Sequence, residues 1–169
     1  MNKIKIYLMV VVFVAIFSAC NAKAQDCSYW YAAVGVDGVK YRGDEIDEKD
    51  PKKIIEGIEC LIRLEGHKTN GAFSGATHFE VSQIFPRATV EICALYYISK
   101  LFYEKYDHAN GIALRYKNYE ENRTINSDEA VKIAYESYRK WFEKVKEIGI
   151  EEARKQKLDP LEGSGVRWY

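Results

Sequence analysis

Three histidines, His67, His78 and His108, and the acid Glu80 two residues after the second, are the side chains best placed by type to do chemistry here. Brought together, His67, His78 and Glu80, with His108 as a fourth donor, would make a hydrolytic metal site, since zinc takes imidazole and carboxylate ligands and activates water. The spacing does not ask for one. Metal-binding helices put two ligands on one face, as in H-E-x-x-H, and no such pair occurs. The histidines are therefore expected to serve as hydrogen-bonding residues of loops and helix ends, with no metal or other cofactor.

Cys93 invites a second drawing, as a thiol nucleophile with His78 or His108 as its base. Its neighbours, Glu91-Ile92-Cys93-Ala94-Leu95, belong to the most apolar stretch of the chain, where a thiol stays protonated and packs as a small hydrophobe. The acidic run from Asp44 to Asp50 is neutralised by nearby Lys49, Lys52 and Lys53 and reads as a solvated turn, whereas a general acid needs an apolar pocket to raise its pKa. Ser74 lies in Phe73-Ser74-Gly75, without a G-x-S-x-G elbow or a phosphate-cradling glycine loop. The segment from His67 to His78 is rich in Gly, Thr and Ser and has no sustained period, which makes it a loop. Phe73, Ser74 and His78 in that loop are the binding candidates, because recognition residues tend to sit on loops held by a rigid scaffold.

The elements that must position these residues are helical. Asp50-Pro51 starts a helix with Ile54, Ile58, Leu61 and Ile62 at helical spacing, and Gly66 ends it. From Pro86 to about Tyr106 almost every residue is apolar, which places that helix inside the domain, with Arg87 and Glu91 pairing along its one wet edge. Asn126 and Glu129 form a capping-box variant ahead of the stripe Val131, Ala134, Tyr138, Trp141, Phe142 and Val145. Gly149 stops that helix, and a short one follows over Glu151 to Lys157. Cys27 to Tyr41 is open to two readings, since Tyr29 to Val36 suits a short helix or a strand, the helix being preferred, and Asp37-Gly38 is a hairpin signal between Val36 and Val39. Trp168 and Tyr169 would dock the tail. The expected fold is all-α, a compact domain of about four to six helices over residues 27–169. The two central helices share a Pro at the start and a Glu five residues on, and their pairing resembles HEAT or armadillo packing without a specific motif.

The N-terminus reads as an address. Lys3 and Lys5 precede an apolar run from Ile6 to Phe17, too short to span a membrane. Phe17-Ser18-Ala19-Cys20 is similar to a bacterial lipoprotein signal, which implies a signal peptide over residues 1–19, lipid on Cys20 and a tether over 20–26. Ala22-Lys23-Ala24 offers cleavage after residue 24 instead. Cleavage before Cys20 removes Lys3 and Lys5 and no acid, taking the formal net charge from 0 to −2. Without a general basic field, attraction to nucleic acid phosphates is not expected. Cys27, Cys60 and Cys93 then form an odd set in a disulfide-permissive compartment, so at least one stays unpaired within the monomer. Their equal spacing is no repeat, because the residues around Cys27 do not match those around the other two. The aromatic share of 14 % exceeds what address and loop require, and Tyr and Trp suit an interface as well as a core. The sequence thus points to an exported helical binding protein of the cell envelope, lipid-anchored or periplasmic. It would act through a protein partner and carry no transmembrane helix after processing. A small envelope hydrolase built on His67, His78 and Glu80 is the competing expectation.

Overall fold

The computed structural model of the protein describes residues 26–36, 48–71, 88–103, 113–118 and 125–169. Among them are α1 (Ser28–Ala33), α2 (Pro51–Ile62), α3 (Val90–Phe102), β1 (Leu114–Tyr116), α4 (Asp128–Ile148), α5 (Ile150–Lys155) and β2 (Val166–Trp168). Helix dominates, as composition and periodicity indicated, but the all-α expectation needs correction. The chain end runs as β2 antiparallel to β1, with Leu114 opposite Trp168, Arg115 opposite Arg167 and Tyr116 opposite Val166. A three-residue strand is too short to show a period, which is why the pattern gave no sign of it. The hairpin signal at Asp37-Gly38 falls outside the described residues.

Helix α2 begins as its sequence dictates: Asp50 is the N-cap and its side chain accepts from the Lys52 amide, with Pro51 in the first turn. It ends at Ile62, and the turn that follows reaches Gly66 at φ +80°, a left-handed conformation that glycine adopts without a Cβ clash. Its inner face, Ile54, Ile58 and Leu61, is fully buried. Trp30 of α1 lies across Gly57, where an added Cβ would come within 2.8 Å of the indole ring. A disulfide joins Cys27 to Cys60 and ties α1 to α2. Closing a loop of this length limits the unfolded chain by roughly 3 to 4 kcal/mol in the chain-entropy account.

Helix α3 is the centre of the core, with twelve of its thirteen residues buried. It is shorter than the apolar run suggested. Thr89 is extended at its start and Tyr103 extended at its end. Glu91 contradicts the wet-edge expectation, being only 2 % exposed. Helix α4 packs its stripe of Ala134, Tyr135, Tyr138, Trp141, Phe142 and Val145 into the same core. The capping-box reading shifts by one residue: Ser127, not Asn126, is the N-cap, and its hydroxyl accepts from the Ala130 amide. Asn126 instead takes φ +50° and its side-chain carbonyl accepts from the Leu114 amide at 2.7 Å. Gly149, at φ +84°, separates α4 from α5.

The ribbon is tied to the helices by a buried polar thread. Trp168 donates its indole N–H to the Tyr138 hydroxyl at 2.8 Å. That hydroxyl meets Ser99 Oγ at 2.5 Å, and Ser99 Oγ donates to the Leu95 carbonyl at 3.2 Å. With Ser99 spending its proton on Leu95, Tyr138 donates to Ser99 and accepts from Trp168, so all three side chains are satisfied in one direction.

Candidate functional site

The segment that carries the binding candidates runs between α2 and α3, and the described residues on either side of it lie against each other. Gly71 donates its amide to Ala88 at 2.8 Å, Val90 donates to Thr69 at 2.9 Å and Glu91 donates to His67 at 3.3 Å. Asn70 and Thr89 form an isolated antiparallel bridge. This clasp is close-packed underneath. A Cβ on Gly71 would lie 2.6 Å from Cys93 Sγ and 2.9 Å from the Thr89 backbone, so the position accepts glycine alone without movement.

Glu91 holds the clasp from below. Its position in the first turn of α3 suits a carboxylate, since the helix end carries partial positive charge, but burial of an isolated ion would cost several kcal/mol. Partners offset that cost. One carboxylate oxygen accepts from the Gly66 amide at 2.9 Å and the other faces Lys68 Nζ at 2.9 Å. The backbone carbonyl of Glu91 accepts from the Tyr135 hydroxyl at 2.9 Å, which fastens the same turn to α4. Lys68 also reaches Asp128 at 2.5 Å, so one ammonium group links the loop start to the first turns of both α3 and α4. Its pKa lies above the ordinary lysine value because of the hydrogen bonds to Asp128 and then to Glu91. Nearby, Arg139 of α4 pairs with Glu65 just after α2.

His67 is the one sequence-predicted histidine among the described residues. It is half-buried, and its Nδ1 lies 2.9 Å from Thr69 Oγ1. His78, Glu80, Phe73, Ser74, His108 and Cys20 fall outside the described residues. Among the described residues no group of three His, Cys, Asp or Glu side chains could hold a metal ion. Cys93 is buried and unpaired, and burial pushes its thiol pKa far up, which removes the thiolate a nucleophile requires.

Lys68, Glu91 and Asp128 were missed as a set. The signal for Glu91 was present, an acid in the first turn of an otherwise apolar helix, but its i,i+4 relation to Arg87 suggested a surface pair. Nothing local connects Lys68 to Asp128, 60 residues away. What the arrangement does is hold residues 67–71 against 88–91 on a packed base; among the described residues it provides no activated nucleophile or base.

No curated protein and no solved structure matches the chain. Residues 74–169, more than half its length, match a family model described as "Domain of unknown function (DUF4943)". The matched span contains α3, β1, α4, α5 and β2, while α1 and α2 precede it.

Proposed function

The chain belongs to the DUF4943 family, and we propose from its own geometry that it is an exported, envelope-associated binding protein, lipid-anchored through Cys20. Its helices, packed in a HEAT-like manner, serve as scaffold, and the loop carrying Phe73, Ser74 and His78 recognises a protein partner. The clasp of residues 67–71 against 88–91 over buried Glu91 carries this reading. A loop fixed at both ends loses less conformational freedom on binding, which favours affinity without added contact area. The Cys27–Cys60 disulfide supports export, because such bonds persist in oxidising compartments.

Two variants test the proposal. Cys20→Ala should move the protein from the membrane to the soluble fraction and abolish lipid labelling. Phe73→Ala should keep the melting temperature and lose the envelope partner that in-cell crosslinking recovers with the wild type. Unchanged fractionation in the first case would remove the anchor. An identical crosslinked partner in the second would remove the loop as the recognition element.

A further inference from the structure

The disulfide fixes where the chain enters the fold. Cys27 and Cys60 have Cα atoms 5.5 Å apart, so the chain arriving from the N-terminal side meets α2 close to its end at Ile62. Trp30 then lies across Gly57, which shows α1 running back along α2 toward its start. Beyond Cys60 the backbone continues in turns, Arg63 donating to Cys60, Leu64 to Leu61 and His67 to Leu64. Gly66 donates its amide to Glu91 at the clasp. Helical and 3₁₀ geometry advance about 1.5 to 2 Å per residue, which keeps Gly66 within roughly 20 Å of Cys27. A domain of this length is roughly 35 to 40 Å across. The entry point and the clasp therefore belong to one end of the molecule, and Lys52, in the first turn of α2, lies toward the other.

Tyr29 stands at the entry end, two residues past Cys27. Its ring is held edge-on to Trp30, with 5.0 Å between centroids, and 51 % of the residue is still open to solvent. We propose that this end of the domain rests on the bilayer surface, with Tyr29 in the headgroup layer of zwitterionic phospholipid. The inference rests on the Cys20 anchor proposed for the chain. From Cys20 to Cys27 the backbone can span at most about 25 Å, whatever its course. A tether that short holds the domain against the membrane at an effective concentration of about millimolar, so a contact too weak to bind by itself is enough to orient it. Tyrosine suits the headgroup layer because its ring is apolar and its hydroxyl stays wet. Adsorption to anionic lipid fits less well, since it uses clusters of about four to eight cations. At this end Arg63 faces Glu59 and Lys68 faces Glu91 and Asp128, while Asp26 adds an acid whose carboxylate accepts from the Ser28 amide at 3.0 Å. In this orientation the clasp is presented to a partner held at the same bilayer.

The test uses the full protein, purified from membranes and reconstituted into phosphatidylcholine vesicles with and without phosphatidylglycerol. Mass spectrometry of its N-terminal peptide first reads the lipid on Cys20. In Tyr29→Trp the added emission should be lost to a doxyl quencher near the headgroups more than to one deep in the acyl chains. In Lys52→Trp it should be lost to neither, and added salt should change nothing. Without any substitution, nitration of Tyr29 by a water-soluble reagent should be slower on vesicles than in the soluble Cys20→Ala protein. Four results would each overturn the proposal and leave the anchor standing: no quenching in Tyr29→Trp, equal quenching in both variants, quenching that needs phosphatidylglycerol, or nitration of Tyr29 as fast on vesicles as in solution. A Cys20 without lipid would overturn the anchor and the proposal together.

Discussion

A carboxylate with 2 % of its surface open to water and a lysine with about half its side chain exposed do unequal work in their ion pair. Lys68 can return to solvent if released; Glu91 cannot. Glu91→Gln keeps the shape and an acceptor for the Gly66 amide, but turns either an N–H toward Lys68 or a second donor toward Gly66. The expected cost is roughly 1 to 3 kcal/mol, the range for leaving a buried group unsatisfied, because half-exposed Lys68 is screened and the full loss of a buried pair does not apply. Urea denaturation should show the midpoint falling with an unchanged slope. Lys68→Met should cost less than Glu91→Gln only if solvent reaches the carboxylate once the lysine is gone; a larger cost would show that the lysine is what allows the charge to be buried.

At the scale of elements, α3 is the most deeply buried helix among the described residues. Leu95 is completely buried in the middle of α3, and Leu95→Ala should lower stability by roughly 2 to 5 kcal/mol, measurable by the same titration. An effect below about 1 kcal/mol would mean that the core repacks around the cavity. Periodicity and caps made the helices legible: Asp50-Pro51 placed the start of α2, the apolar stripe placed α4, and Gly149 its end. What escaped was set by distant partners. The extended residues that shorten α3 at its N-terminus are held by hydrogen bonds to residues 67–71, and β1 exists because β2 pairs with it 52 residues away. The free choice between Cys27, Cys60 and Cys93 was likewise settled by packing, which buries Cys93 in α3 and leaves the first two within reach. The clasp of residues 67–71 on a buried acid was not legible, since Glu91 had a local candidate partner in sequence and finds Lys68 in space.

For the molecule as a whole, five groups shift in one direction. Burial raises the pKa values of Tyr135, Tyr138, Tyr103 and Cys93, and hydrogen bonds to two acids raise that of Lys68. Each group holds its proton more tightly folded than unfolded. Their contributions to stability are therefore complete below the unfolded values, 9.0 for cysteine, 10.0 for tyrosine and 10.5 for lysine, and are lost as pH rises past them. The protein should unfold cooperatively in alkali. Absorbance at the tyrosinate band should then rise in two stages, exposed tyrosines first and the buried ones together with loss of circular dichroism. Smooth ionisation of every tyrosine with the fold intact would contradict the burial of Tyr135 and Tyr138.

The bond between Cys27 and Cys60 also decides how the protein carries mechanical load. Force entering from the N-terminal side reaches Cys27 and passes across the sulfurs to Cys60, so α1 and most of α2 hang outside the line of tension. From Cys60 the load continues through the end of α2 to Gly66 and the clasp on Glu91. A protein held at one end to a surface and gripped at its loop would feel the pull along this short route, with its remaining helices sheltered. In single-molecule stretching from both chain ends, the 33 residues of separation between the two cysteines should stay hidden, making the released length about 11 nm shorter than the chain allows, at roughly 3.4 Å per residue. A reducing agent should restore that length, and an identical trace with and without it would show that the load takes another path.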